Sequence, residues 1–146
     1  GTPELIDTPV TSPDVYPTLL EAAGAPLPDG QAVDGESLRP VLADREGRLD
    51  RDAIFWHYPH YGNQGCTPAA AIRSGDWKLV EFFEDGHTEL YHLGDDIREE
   101  HDIRKHRPEK AAELHDRLRA WQDDVGAQFP ENNPDYEPWP ERAGPG

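Results

Sequence analysis

Residues 55–65 are the part of this chain whose side chains are best suited to chemistry. The segment carries two histidines, His57 and His60, three positions apart and set among aromatic residues, and a glycine-rich turn follows. Histidine changes charge near neutral pH, binds metals and transfers protons. The segment therefore looks like the wall of a polar pocket, in which His57 and His60 would bind an anionic ligand or a metal.

A plainer interpretation of the same segment stays open, because two histidines in a loop can simply be hydrogen-bonded to the protein. Two ligands do not complete a metal site, since structural zinc takes four protein ligands and catalytic zinc three. The sequence thus predicts no metal site, and a small metalloprotein lacks the necessary number of ligands.

Two other features look reactive but are better read as ordinary loops. Cys66 follows the histidines, but a catalytic thiol needs a base and an orienting group, so a small loop residue is the favoured interpretation. The acidic run 95–102 lacks the alternating ligands and central glycine of a calcium-binding EF-hand loop. We interpret it as a solvated loop.

The surrounding patterns predict the elements that position these residues. Asp14 as N-cap, Pro17 in the first turn and Gly24 at the end predict a helix. Short strands are expected at 53–56, 70–73, 77–83 and 88–93 in a four-stranded antiparallel sheet, with tight turns joining the last three into a meander. Pro108 opens a last helix with an apolar stripe that packs on the sheet: Ala111, Leu114, Leu118, Trp121 and Val125. The predicted fold class is α+β.

Composition limits the partners and the organisation of the chain. Its 146 residues include 30 acidic and 14 basic side chains, giving a formal charge of -16. Nucleic acids and anionic membranes require clustered cations, so neither is expected as a partner. The chain contains no methionine, which suggests a piece of a longer protein. We expect residues 1–52 to close a larger α/β domain and 53–126 to form the antiparallel subdomain, followed by a proline-rich tail over 127–146.

Three segments resemble the C-terminal part of the type I, arylsulfatase-like sulfatases of the alkaline phosphatase superfamily. The first is residues 8–24, which looks like the helix closing the large α/β domain of that family. The second, Asp34-Gly35-Glu36-Ser37-Leu38, is similar to its D-G-x-S-L turn. The third comprises residues 72–79 and 89–93, which resemble its R-x-G-x-W-K and E-L-Y-x-L strands. Their order and spacing together make the resemblance specific.

The resemblance implies that the chain docks against a missing N-terminal catalytic domain of the same protein. In such enzymes that domain carries a cysteine oxidised to formylglycine, which attacks sulfur, and a calcium ion that neutralises the sulfate oxygens. No catalytic residue and no cofactor is expected in this fragment, and calcium is expected in the parent enzyme. The substrate would be a sulfated small molecule or carbohydrate, contacted by His57, His60, Tyr61 and Asn63.

A free-standing, non-catalytic module that binds a ligand or a protein through the same histidine segment is the alternative. An exposed apolar patch along Tyr16, Leu19 and Leu20 would favour the sulfatase interpretation, because it would mark an interface with absent chain. Sulfatases of this type are commonly exported, which is compatible with a periplasmic or secreted parent. The residues themselves carry no cellular address.

Overall fold

A computed structural model describes residues 6–44, 46–63, 65–131 and 133–135. The chain divides into two compact units, 1–54 and 55–146, called the first and the second unit below. Within the described ranges, no helix is long and apolar enough to cross a membrane. The remainder of the predicted tail, residues 136–146, lies outside the described residues.

The first unit contains the predicted N-terminal helix. A 3-10 turn at Ser12–Asp14 leads directly into α1, Val15–Ala22, and a short α2 spans Arg39–Ala43. After α1, the Ala25 N–H donates to the Leu20 carbonyl at 2.9 Å and the Gly24 N–H to Glu21 at 3.1 Å, with Gly24 at a φ of 68°. This is a Schellman cap, so the predicted left-handed ending at Gly24 is confirmed.

Asp14 occupies the N-cap position of α1, but its carboxylate does not cap that helix. It is fully buried and accepts a bidentate pair of bonds from the Arg51 guanidinium at 2.5 and 2.7 Å. The backbone N–H groups of Thr11 and Glu36 also donate to it, at 2.7 and 3.0 Å. The expected capping role is therefore wrong, because a buried carboxylate is stabilised more by a cation than by one amide.

Gly35 explains the D-G pair of the second motif. A Cβ at this position would lie 2.1 Å from the Pro13 carbonyl oxygen, so only glycine lets the two backbone segments approach so closely. The same approach brings the Glu36 N–H to the Asp14 carboxylate, at 3.0 Å. The motif thus joins the loop before α2 to the start of α1.

The second unit is built on a four-stranded sheet in the order β1-β2-β3-β4. The strands span Ile54–Tyr58, Ala69–Ser74, Trp77–Phe82 and Thr88–His92. The pairs β2–β3 and β3–β4 are antiparallel, and their register aligns Ile72 with Leu79 and Leu79 with Leu90, all three fully buried. The predicted meander and the α+β class are confirmed.

Helix α3, Pro108–Asp124, begins at the predicted proline and packs on β2 and β3. Ala111, Leu114 and Leu118 are buried as expected, and the Trp121 ring stacks on Phe55 with centroids 4.8 Å apart. Val125, however, is 49% exposed, because the helix ends at Asp124. The last buried position of the stripe is Gln122, a polar residue that the apolar pattern could not identify.

Candidate functional site

Strand β1 runs further than expected and includes His57. Aromatic residues fit a pleated, half-buried surface, which accounts for the extension beyond residue 56. Side chains alternate between the two faces of a strand. Trp56 and Tyr58 are therefore exposed, at 44% and 50%, whereas Phe55 and His57 face α3. The expectation that both histidines lie in one loop is wrong for His57.

Both ring nitrogens of His57 bond to the protein. Its Nε2 lies 2.7 Å from the Gln128 carbonyl oxygen, and because a carbonyl only accepts, Nε2 must carry the proton. Nδ1 is then an acceptor and receives the Gln122 side-chain amide at 3.2 Å. The His57 ring therefore joins strand β1 to the end of α3 and to the chain that follows it.

Two phenylalanine rings pack against the His57 ring, and an arginine covers one of them. Phe83 and Phe129 each lie 5.3 Å from it between ring centroids, and Arg119 covers the Phe129 ring at 5.3 Å. Arg119 also donates to the buried carboxylate of Glu81. Together with the His57–Gln128 bond, these contacts fix residues 128–129 against the sheet.

The other three predicted site residues follow β1 and are exposed. His60 meets the Tyr58 ring edge-on, with centroids 5.6 Å apart. The Tyr61 hydroxyl donates to Glu84 at 2.9 Å, across to the hairpin that joins β3 and β4. A bond from the Gly62 N–H to the Cys66 carbonyl, 2.9 Å long, closes this loop, and Cys66 itself is exposed.

A cavity of about 730 Å³ lies beside Tyr61, and we call it the Tyr61 cavity. Its described lining is Tyr61, Pro68, Phe83, Glu84, Pro130, Glu131 and Asn133. Of the four predicted substrate-binding residues, only Tyr61 belongs to this lining. The described lining of this cavity does not include His57, His60 or Asn63, and the contact of all four residues with substrate stays a prediction.

Sequence reasoning did not find the partners that complete this region. Glu84 belongs to a turn that the Asp85-Gly86 pair marks only as a hairpin. Gln122 and Phe129 lie on and after α3, and no local pattern connects them with β1. One sequence signal for such a partner is a polar residue within an apolar helix face, such as Gln122, because a buried polar group usually has a hydrogen-bond partner.

Among the described residues, one group of three potential metal ligands occurs, formed by Asp96, Glu100 and His101. Asp96 already accepts backbone N–H bonds from Glu100 and His101, at 3.2 and 2.9 Å. Calcium takes six to eight oxygen ligands, so this exposed group containing a histidine does not fit it. That calcium belongs to another part of the parent enzyme stays a prediction.

Comparison with known proteins identifies the family. Residues 3–124 match the family model described as N-sulphoglucosamine sulphohydrolase, C-terminal. The chain belongs to this family. It is a sulfatase C-terminal domain, and the resemblance predicted from its motifs is confirmed over most of its length.

Relatives of this sulfatase domain are considerably longer. A sulfatase from Formosa agariphila is 36% identical over 135 residues, which cover 82% of this chain and 24% of that protein. Human steryl-sulfatase is 42% identical over 53 residues, covering 36% of this chain and 9% of that protein. The chain thus spans about a quarter of the length of the Formosa agariphila sulfatase.

Among solved structures, this domain resembles BT4656 in complex with its substrate D-glucosamine-2-N,6-O-disulfate. The TM-score is 0.67 at 31% identity, covering 80% of this chain and 24% of the other. Ps i-CgsB gives a TM-score of 0.66 at 26% identity, covering 84% of this chain and 26% of the other. The matched regions again form a small part of each larger protein.

Proposed function

We propose that this chain is the C-terminal part of an enzyme that hydrolyses sulfate esters, and that it contributes residues to the substrate site. The family match over residues 3–124 carries the proposal. Since the chain spans about a quarter of the relatives, the remaining sulfatase sequence would supply the catalytic domain. The proposed substrate is a sulfated carbohydrate or other small molecule, in line with the disulfated glucosamine substrate of BT4656.

The chemical step would belong to that catalytic domain. The sole cysteine of this chain lies in Cys66-Thr67-Pro68-Ala69-Ala70, which lacks the serine and arginine of the C-x-P-S-R motif. The formylglycine and the calcium ligands are therefore proposed to lie elsewhere in the enzyme. The part played by residues 57–63 would be to bind and orient the substrate beside that centre.

The surface of α1 favours this proposal over a free-standing binding module. Of the expected patch, Tyr16 and Leu19 are 41% and 63% exposed, whereas Leu20 is only half-exposed. Val15, on the same short helix, is 51% exposed. Apolar side chains grouped on a surface mark an interaction site. We propose that this helix face docks on the catalytic domain of the same protein.

The test is sulfate-ester hydrolysis by the full-length enzyme, with His57→Ala as the variant and His106→Ala as the control. His106 is an exposed histidine in the 3-10 turn Arg104–His106. We expect kcat/KM to fall about tenfold or more in His57→Ala, because a hydrogen-bonding group of the site region is lost, and to stay unchanged in His106→Ala.

Gln122→Ala separates the two ways in which His57 could act. It removes the amide that donates to Nδ1 but leaves the imidazole in place. An equal loss in both variants would assign His57 to positioning residues 128–129, whereas a loss in His57→Ala alone would assign it to substrate contact. Unchanged kinetics in both would refute its role, and a folded full-length protein that hydrolyses no sulfate ester would refute the proposed function.

A further inference from the structure

The walls of the Tyr61 cavity come from three parts of the second unit. Tyr61 lies on the loop after β1, Phe83 and Glu84 lie on the β3–β4 hairpin, and Pro130, Glu131 and Asn133 come from the chain after α3. Its volume of about 730 Å³ falls within the usual range of small-molecule sites, roughly 300–1,000 Å³. It is large enough for more than a few water molecules.

Contacts within the second unit hold the walls of the cavity in place. The wall after α3 is fixed by the His57–Gln128 bond and by Phe129, which packs on Phe83 with centroids 5.3 Å apart. The other two walls, the loop after β1 and the β3–β4 hairpin, are joined by the Tyr61–Glu84 bond at 2.9 Å. The cavity is thus formed before any ligand arrives, which lowers the entropic cost of binding.

The charges of the lining oppose the binding of a sulfate group. Glu84 and Glu131 are the charged side chains among the described lining residues, and both are acidic. A sulfate placed among them would be repelled, and this repulsion strengthens as water is excluded. Hydroxyl and ammonium groups, in contrast, donate hydrogen bonds that carboxylates accept, and these charge-assisted bonds are strong.

The remaining lining suits the apolar face of a sugar ring. Tyr61 is 70% exposed, so its ring is accessible, and Phe83 and Pro130 provide apolar surface beside it. The Asn133 side chain adds an amide that can both donate and accept. Apolar rings together with convergent hydrogen-bond acceptors match a ring that carries polar groups on its rim and C–H groups on its face.

We propose that the Tyr61 cavity binds an unsulfated sugar ring of the substrate, through its hydroxyl or amino groups, while the sulfate to be hydrolysed lies outside the cavity. This inference rests on the proposed function, which supplies the sulfated carbohydrate. It deepens that function by naming the part of the substrate that the second unit recognises. The cavity would then distinguish oligosaccharides from small sulfate esters.

The experiment compares two substrates with the full-length enzyme: a small aryl sulfate and an oligosaccharide whose sulfated ring is linked to an unsulfated D-glucosamine. The variants are Glu84→Gln, Glu131→Gln and Tyr61→Phe. Glu109→Gln is the matched control, since Glu109 is an exposed carboxylate in the first turn of α3, outside the Tyr61 cavity.

We expect Glu84→Gln to raise KM for the oligosaccharide about tenfold with little change in kcat, because one charge-assisted hydrogen bond is weakened in the bound state. Kinetics with the aryl sulfate should stay unchanged, and the control should resemble the wild type with both substrates. An unchanged KM for the oligosaccharide in all three cavity variants would overturn the proposal, as would equal losses with both substrates.

A second measurement keeps this result distinct from the proposed function. Calorimetric titration of the full-length protein with an unsulfated D-glucosamine disaccharide should show binding that Glu84→Gln weakens, whether or not the protein hydrolyses sulfate esters. No binding of this disaccharide, or equal binding by the wild type and Glu84→Gln, would contradict the assignment of the cavity.

Discussion

At the residue scale, Asp14 shows how one buried charge organises the first unit. Although burial raises the pKa of its carboxyl, the hydrogen bonds from Arg51, Glu36 and Thr11 outweigh this effect and hold the pKa well below its ordinary value of 3.8. The guanidinium of Arg51 also donates to the Pro9 carbonyl at 3.0 Å. The ion pair thus joins chain segments that lie 37 residues apart.

Asp14→Asn is therefore expected to destabilise the first unit by about 3 kcal/mol at neutral pH, because it leaves the Arg51 guanidinium, whose side chain is only 18% exposed, without its counter-charge. The free energy of unfolding from urea titration checks this. Asp29→Asn, at an exposed position in the loop after α1, is the control and should change it by less than about 0.5 kcal/mol.

The pH dependence of stability gives an independent check on the same residue. A carboxyl whose folded-state pKa is depressed stabilises the fold at pH values above its unfolded pKa, and this stability is lost as the pH falls through the folded value. The wild type should therefore lose stability as the pH falls below about 3.8, and Asp14→Asn should lose less. Parallel pH profiles of the two proteins would contradict the assignment.

At the same scale, His57 illustrates a limit of reading residue types. The sequence predicted it to bind a ligand, and its position on β1 gives both ring nitrogens partners within the chain. A histidine that donates through one nitrogen and accepts through the other is locked in one tautomer. A substrate that contacts it directly would have to replace one of these bonds.

At the element scale, α3 supplies both the core of the second unit and the supports of the Tyr61 cavity. Leu114 and Leu118 fill the sheet interface at 1% and 0% exposure, while Arg119 and Gln122 on the same helix contact Phe129 and His57. Three- and four-residue spacings place these side chains on one face of the helix. The packing of α3 therefore also sets the position of the chain that follows it.

Leu118→Ala tests the contribution of α3 to the core of the second unit. The side chain is fully buried, so its truncation should leave a cavity and lower the free energy of unfolding by about 2–5 kcal/mol. Leu42→Ala, at a leucine that is 68% exposed, is the control and should change it by less than about 0.5 kcal/mol. Chemical denaturation measures both, and equal effects would contradict the assigned core.

The edge of the sheet at β4 is protected by the chain that follows it. The Asp102 carboxylate accepts the Leu90 N–H at 3.0 Å, and the Ile103 N–H donates to the Leu90 carbonyl at 2.9 Å. An edge strand otherwise exposes unpaired backbone groups that can pair with another chain. The acidic run thus has a structural role in addition to its solvated carboxylates.

At the scale of the whole molecule, the exposed apolar face of α1 is the feature that a self-contained protein would not need. Its side chains are those that the D-V-Y-P-T-L-L segment places on a helix surface, and Leu19 is the most exposed of them. The proposed catalytic domain would cover this face in the full-length sulfatase. Burial of a leucine contributes roughly 1.5–3 kcal/mol.

Leu19→Asp should change the stability of the full-length protein much more than that of the isolated chain. In the 146-residue chain, the change should alter the free energy of unfolding by less than about 0.5 kcal/mol, because Leu19 is 63% exposed there. In the full-length enzyme, it should lower the melting temperature by several degrees, since a charge would be buried at the interface. Equal effects in the two proteins would argue against docking through this face.

Local patterns determined much of this protein from sequence alone. Short strand segments and tight turns such as Asp85-Gly86 predicted the meander, and Pro108 with the leucine spacing predicted α3. Gly24 marked the end of α1, and three short motifs in order predicted the family. These features could be read because the conformation of each depends on residues close together in the chain.

Only the tertiary structure decided which distant residues meet. The pairs Asp14–Arg51, His57–Gln122 and Tyr61–Glu84 are separated by 37, 65 and 23 positions. Propensities and periodicities act over a few residues, so they carry no information on which side chains the packing of sheet and helix will join. The cavity beside Tyr61 exists for the same reason, because three chain segments distant in sequence form its walls.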